Sequence, residues 1–254
     1  MEPAAGNAGV IFGVLPVLEA LRARARRIDK VLIAQGVREH RLNDIVELAR
    51  ENGIAVTKIP REDLERQLEP GVNHQGVAAI ASAADYVGGD EILDSPAADP
   101  LLVILDGVED PRNFGAILRT AECAGVDGVF IPERRAVGLT ETVVKSAAGA
   151  TEYVKVAKAA NINRLIDELK EKNIWVVGTS GESTTDYTDW DWTQPSALVL
   201  GNEGSGLHRL VAENCDVLVK IPMYGKIDSL NVSVAAGVVL FEARRQRAEK
   251  TEKS

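Results

Sequence analysis

Leu101-Leu102-Val103-Ile104-Leu105 is a run of large apolar residues with no polar break. A strand with one wet face alternates apolar and polar side chains, so an unbroken run needs cover on both faces. Further apolar runs stand at 126–131, 174–179, 197–200 and 217–221, mostly with helical periodicity between them. Repeated strand–helix–strand order predicts an α/β architecture, an open sheet flanked by helices. Ligands in such sheets sit beyond the carboxyl ends of the strands, so the residues just after each run are the first candidates for a site.

The chain ahead of this sheet reads as a smaller α/β unit. Helices are expected at 15–27, 42–51 and 61–68, and strands at 30–34, 55–59 and 77–81. The stretch 82–100 is rich in Ala, Gly, Asp and Pro without a clear period, so it reads as a linker with a short element around 91–93. The expected layout is a first domain at 1–82, a linker at 83–99, a second domain at 100–248 and a C-terminal tail at 249–254.

Composition narrows the function classes. A net charge of −9 argues against coating nucleic acid by bulk charge, yet leaves room for local patches. Arg22, Arg24, Arg26, Arg27 and Lys30 form one basic cluster, and Arg244, Arg245, Arg247 and Lys250 another. Each is either a solvated helix face or a contact for RNA phosphates. No apolar run reaches the roughly 20 residues of a membrane span, and Met1 to Gly6 lacks the regions of a secretory signal. Cys123 and Cys215, and His40, His74 and His208, show no metal-ligand spacing. The expectation is a cytoplasmic protein with reduced thiols, no membrane and no metal.

Three stretches at strand ends carry candidate chemistry. After 101–105, Asp110 suits a helix cap, Pro111 the first turn and Gly125 the end. Phe114, Ile117, Leu118 and Ala121 make that helix's buried stripe, with Arg112 and Arg119 on the opposite face. Arg119 could simply pair with Glu122 at i+3. After 197–200, Gly201-Asn202-Glu203-Gly204-Ser205-Gly206 puts three glycines where backbone amides can approach a ligand. It is neither a Walker loop nor a dinucleotide turn, and a tight connection would explain it equally well. After 217–221, Asp228, Ser229, Asn231 and Ser233 gather before an apolar helix in which Val234, Val238 and Phe241 recur at helical spacing. Ala235, Ala236 and Gly237 there would let other backbone come close. A helix start of this kind can hold an anion or act only as a cap. The loop 184–194, with Trp190 and Trp192, reads as packing before it reads as a platform for a base.

Taken together and in order, Asn113-Phe114-Gly115 through Arg119-Thr120-Ala121, Leu200-Gly201-Asn202-Glu203-Gly204, and Ile221-Pro222-Met223 through Ser229-Leu230-Asn231-Val232-Ser233 resemble the three motifs of the SpoU, or TrmH-like, RNA 2′-O-ribose methyltransferases. Phe12-Gly13 with Pro16 to Leu21, and His74-Gln75-Gly76-Val77, resemble the signatures of that family's small N-terminal RNA-substrate-binding domain. The two-domain layout is similar to enzymes that methylate a guanosine of large-subunit ribosomal RNA.

The resemblance implies an α/β deep-trefoil-knot methyltransferase domain, S-adenosylmethionine as cofactor, and a homodimer. It places Arg119, Asn113, Glu203, Ser229 and Asn231 at catalytic positions. It places Gly201, Ile221 and Leu230 at the cofactor, with Thr179, Leu200, Gly204 and Met223 as neighbours. Asn202 stands where many relatives carry a small residue or serine, and Tyr224 and Lys226 vary the segment after Pro222. A guanidinium keeps its proton at neutral pH and is a poor base, so Arg119 has a second possible role as a phosphate or charge stabiliser. Transfer RNA as substrate, and a knotted RNA-binding assembly factor without catalysis, are the alternatives.

Overall fold

The computed structural model describes residues 8–37, 42–68, 70–94, 98–134 and 136–252. Met1 to Gly6, His40, residues 95–97 of the expected linker and the last two residues of the expected tail lie outside them. In chain order the first elements are β1 (Ala8–Phe12), α1 (Val14–Ala23), β2 (Ile28–Ala34), α2 (Asn43–Glu51), β3 (Ala55–Ile59), α3 (Arg61–Glu65) and β4 (Val77–Ser82). Then come α4 (Gly89–Leu93), β5 (Leu101–Asp106), α5 (Pro111–Ala124), β6 (Gly128–Pro132), α6 (Glu141–Ser146), a 3₁₀ turn (Ala150–Glu152) and β7 (Val156–Ala159). The last are α7 (Ile162–Glu171), β8 (Trp175–Thr179), β9 (Ser196–Gly201), α8 (Arg209–Asn214), β10 (Val217–Val219) and α9 (Val232–Glu252).

Contacts divide the chain into two units: Met1–Asp85 with Leu139–Tyr153, and Tyr86–Gly138 with Val154–Ser254. The first differs from the expected block 1–82 by taking in α6 and the 3₁₀ turn. Val144 of α6 packs in the same apolar cluster as Ile11, Val17, Leu21 and Ile45. The first unit's sheet has the order β1-β4-β2-β3, with β2 and β3 parallel and the other pairs antiparallel. Strand β1 was not foreseen, and α1 ends at Ala23, short of residue 27. Arg24 there adopts a left-handed conformation, φ 52°, which stops the helix.

In the second unit the sheet order is β10-β8-β9-β5-β6-β7, and every pairing in it is parallel. All six residues of β5 and of β9 are buried, as unbroken apolar runs require. Edge strand β7 escaped the sequence reading because Lys158 breaks its short apolar pattern. The order reverses at β5, whose neighbours are β6 on one side and β9 on the other. That reversal is the switch point where open α/β sheets place their ligands.

Helix α5 forms as its caps dictate: Asp110 Oδ1 accepts from the Arg112 N–H at 2.7 Å, Pro111 opens the first turn, and Gly125 closes it at φ 68°. Helix α9 packs against α5 and runs to Glu252, so the expected tail at 249 begins inside a helix. Its buried face is Val232, Ala236, Val239, Leu240 and Ala243, whereas Val234 and Phe241 are each 51 % exposed. The spacing of Val234, Val238 and Phe241 marks the helix, but Val234 and Phe241 stand off its buried face. Both sides of α9 are apolar over this stretch, so periodicity alone could not choose. Trp192 is fully buried and donates from Nε1 to the Tyr187 carbonyl at 2.8 Å, which makes its loop a packing element. Burial pushes the Cys215 thiol up to about 12, so it packs as a small apolar side chain.

Candidate active site

The carboxyl ends of β5 and β9 lead into the two segments that meet at the switch point. From β5 the chain passes through Gly107 to Asp110 into α5, which carries Asn113 buried on its first turn. From β9 it enters the glycine loop, with Glu203 exposed at its start. The third segment is the connection from β10 to α9, where Asn231 caps α9: its Oδ1 accepts from the Ser233 N–H at 2.9 Å and from Ser233 Oγ at 2.6 Å.

These segments converge on one hydrogen-bonded cluster. Asn113 Nδ2 donates to Glu203 Oε1. Asn231 Nδ2 donates to Asn113 Oδ1 at 3.0 Å and reaches Glu203 Oε1 at 3.4 Å. Residues 90 and 118 positions from Asn113 thus share one polar knot of side chains. Satisfying Asn113 this way removes the penalty of burying its amide.

Arg119 lies further along α5 and is exposed; among the described residues it forms no ion pair with Glu122. Ser229 is exposed two residues before Asn231. Thr179 ends β8, half-buried, with its hydroxyl donating to the Val199 carbonyl at 3.3 Å. Leu200 and Gly201 end β9, both buried, while Gly204 is exposed in the loop. Ile221 and Met223 are half-buried in the connection after β10, and Leu230 is 38 % exposed. The cluster joins Asn113, Glu203 and Asn231 directly. Of the other candidates, Thr179, Leu200 and Gly201 lie at the carboxyl ends of the neighbouring strands β8 and β9, while Arg119 on α5 and Gly204, Ser229 and Leu230 in loops are not joined to the cluster by a hydrogen bond among those described.

Gly201 has no room for a side chain. A Cβ there would lie 2.2 Å from the Gly206 carbonyl carbon and 2.4 Å from the Leu207 nitrogen, both fixed backbone. The loop therefore doubles back on itself with main chain against main chain, the close approach its glycines permit.

The SpoU rRNA Methylase family matches residues 100–241, more than half of the chain. This chain belongs to the SpoU methylase family. Residues 10–87 match the RNA 2′-O ribose methyltransferase substrate-binding family. The chain is 42 % identical over 240 residues to YacO of Bacillus subtilis, named for the TrmH family of tRNA/rRNA methyltransferases, covering 93 % of this chain and 95 % of that one. A Staphylococcus haemolyticus protein named for the same family is 43 % identical, with 94 % and 96 % covered. A crystal structure titled RNA 2′-O ribose methyltransferase superposes with a TM-score of 0.80 at 26 % identity, covering 96 % and 90 % of the two chains. The SpoU methyltransferase AviRb of Streptomyces viridochromogenes, solved with AdoMet, gives 0.76 at 27 % identity, with 94 % and 90 % covered.

In the first unit, the two signature stretches of this SpoU chain form a single corner. Gln75 Oε1 accepts from the Val14 N–H at 2.8 Å, capping α1 from 61 residues away. His74 is 3 % exposed, and its Nδ1 accepts from the Gly76 N–H at 3.1 Å. Gly13 N–H in turn donates to the Val77 carbonyl at 3.1 Å.

Two arginines of the basic clusters, Arg26 and Arg247, are engaged by the protein's own groups, while Arg22, Arg24, Arg27 and Lys30 stay exposed. Arg26 is buried and holds Glu152 through Nε to Oε2 at 2.9 Å and through Nη2 to Oε1. Arg22 pairs with Glu19 and Arg27 with Asp29. In the second cluster, Arg245 pairs with Glu242 and Glu249. Arg247 donates to the carbonyls of Trp192 at 2.8 Å, Gln194 at 3.0 Å, Pro100 at 3.3 Å and Asp99. For Arg26 and Arg247 the partners lie far away in sequence, whereas Arg22, Arg27 and Arg245 pair with carboxylates two to four residues away.

Proposed function

We propose that this chain methylates a ribose of ribosomal RNA, on a guanosine, and that the Asn113–Glu203–Asn231 cluster marks its catalytic centre. As a SpoU-family chain it is an RNA 2′-O ribose methyltransferase, with S-adenosylmethionine as its methyl donor. The observation that carries the site is the convergence of three separate motifs on one cluster at the sheet's switch point.

The surrounding residues fit the cofactor. The buried ends at Leu200 and Gly201, the half-buried Thr179, and the apolar Ile221, Met223 and Leu230 offer apolar walls, which suits an adenosyl moiety. Gly201, Ile221 and Leu230 would contact it, and Gly204 would border it. When bound, it supplies an electrophilic methyl on a sulfonium. The 2′-oxygen forms a bond to that methyl carbon as the carbon–sulfur bond breaks, and the hydroxyl proton must leave. Arg119, exposed on α5, would bind the neighbouring phosphate and stabilise negative charge developing on the 2′-oxygen while the proton passes to water, or, only if first deprotonated, would itself accept that proton. Ser229 and Asn231 would orient the cofactor or the target ribose, while Asn113 and Glu203 would hold Arg119 and the glycine loop in place.

A homodimer is supported by apolar side chains that α9 and the preceding connection leave in solvent: Tyr224 at 96 %, Ile227 at 75 %, and Val234 and Phe241. Threading of the C-terminal segment into a trefoil knot is what membership of the SpoU family and the likeness to SpoU methyltransferase structures imply. The first unit would bind the RNA substrate and the second would carry methyl transfer.

The test is methyl transfer from labelled S-adenosylmethionine to total RNA from a strain lacking this gene, followed by mapping of the labelled nucleotide. Label on one guanosine ribose of ribosomal RNA, lost with Arg119→Ala, is the expected result. Label in transfer RNA would overturn the substrate, and RNA binding without label would favour a role in assembly.

A further inference from the structure

The glycine loop is anchored at both ends to the carboxyl end of β5, by side chains outside the Asn113–Glu203–Asn231 cluster. Asp106, the last residue of β5, is 4 % exposed. Its Oδ2 accepts from the His208 backbone N–H at 2.7 Å, and its Oδ1 lies 2.8 Å from His208 Nδ1. An ionised carboxylate only accepts, so Nδ1 carries a proton and one residue engages both oxygens. At the loop's other end, Asn202 Nδ2 donates to the Gly107 carbonyl at 2.9 Å. Asn202 Oδ1 accepts from the N–H groups of Gly204 at 2.9 Å and Ser205 at 3.4 Å. Asn202 and Gly206 also exchange two backbone hydrogen bonds at 2.9 Å. Glu203 stands inside the span so fixed.

Residues 203–206 of this loop are exposed, so it buries little apolar surface and adds little to the core. Three glycines would leave such a loop free to sample many shapes. Fixing both ends to a buried strand terminus instead sets the position of the Glu203 carboxylate. We propose that Asn202 and His208 form a clasp on Asp106 and Gly107, and that both are positioning residues for methyl transfer, holding Glu203 on Asn113 and Asn231. The clasp rests on the methyltransferase reading above. It also accounts for the asparagine at 202, since a serine or glycine there could not span from the Gly107 carbonyl to the Gly204 amide.

Two variants dissect the clasp. His208→Ala keeps the backbone N–H on Asp106 and removes the imidazole. Asn202→Asp keeps an acceptor for Gly204 and Ser205 but sets a carboxylate oxygen against the Gly107 carbonyl. The assay is labelled methyl transfer at saturating S-adenosylmethionine to ribosomal RNA from a strain lacking the gene, with melting temperatures measured alongside. Each variant is expected to lower kcat by about ten- to hundredfold, the scale of a displacement near 1 Å, with KM for RNA unchanged and the fold intact at the assay temperature. His208→Asn, whose amide can still donate to Asp106 Oδ1, is expected to restore most of the rate. Full kcat in both variants would overturn the clasp while leaving the methyltransferase reading in place. So would a loss that merely follows the unfolded fraction, or no rescue by asparagine. A wild-type chain that labels no RNA would overturn both.

Discussion

Arg26→Ala tests the view that this arginine is a structural charge and not an RNA contact. Its side chain is 7 % exposed and that of Glu152 is 1 % exposed. The guanidinium grips both carboxylate oxygens and also reaches the Ser82 carbonyl and Thr151 Oγ1, each at 3.4 Å. Removing it strands a buried carboxylate, for which the expected loss is about 3–5 kcal/mol. For a chain of this length that is a fall in melting temperature of roughly 6–20 °C. Thermal unfolding followed by circular dichroism reads it directly. Replacing both partners by apolar residues, Arg26→Met with Glu152→Leu, removes the stranded charge and is expected to recover most of the loss. A single variant as stable as the wild type would refute the reasoning, as would a double variant as weak as the single one. RNA binding gives a second reading: the salt slope of affinity should be unchanged by Arg26→Ala, since a buried guanidinium neutralises no phosphate.

Gly201→Ala is expected to abolish methyl transfer, because its Cβ would sit 2.2 Å from the main chain of Gly206 and neither backbone can yield. A variant with wild-type kcat would show that the crossing is looser than described. Arg247→Ala should destabilise the second unit by about 2–4 kcal/mol, since the guanidinium ties four carbonyls from two loops to α9 and charged donors make the stronger hydrogen bonds. Arg247→Lys should recover only part of this, because an ammonium lacks the planar fork; denaturant unfolding of the two variants would tell.

The second unit was legible because its signals are local. Unbroken apolar runs at β5 and β9, and Asp110, Pro111 and Gly125 around α5, each force one conformation within a few residues. What escaped depends on distant partners. The arginines near α1 and in α9 carry no mark in sequence of Glu152, 126 residues from Arg26, or of the carbonyls around Arg247. Strand β1 is specified by pairing with β4, almost seventy residues on, more than by its own composition. At the site, motif resemblance named Asn113, Glu203 and Asn231, and the fold brought those three into contact. Asn202 and His208 had no such signal, since what they hold is backbone and a buried aspartate.

Leu139–Tyr153 belongs by contact to the first unit although the chain reaches it only after passing through β5, α5 and β6 of the second. Synthesis proceeds from the N-terminus, and domains fold as their residues emerge. The first unit therefore cannot complete itself when its own sheet has left the ribosome. Until Glu152 appears, Arg26 has no carboxylate, and until Val144 appears the cluster around Ile11 and Leu21 lacks one wall. A fragment ending near residue 85 would carry that same deficit permanently. The two units are thus interleaved in time as well as in sequence, and neither can be excised with a single cut.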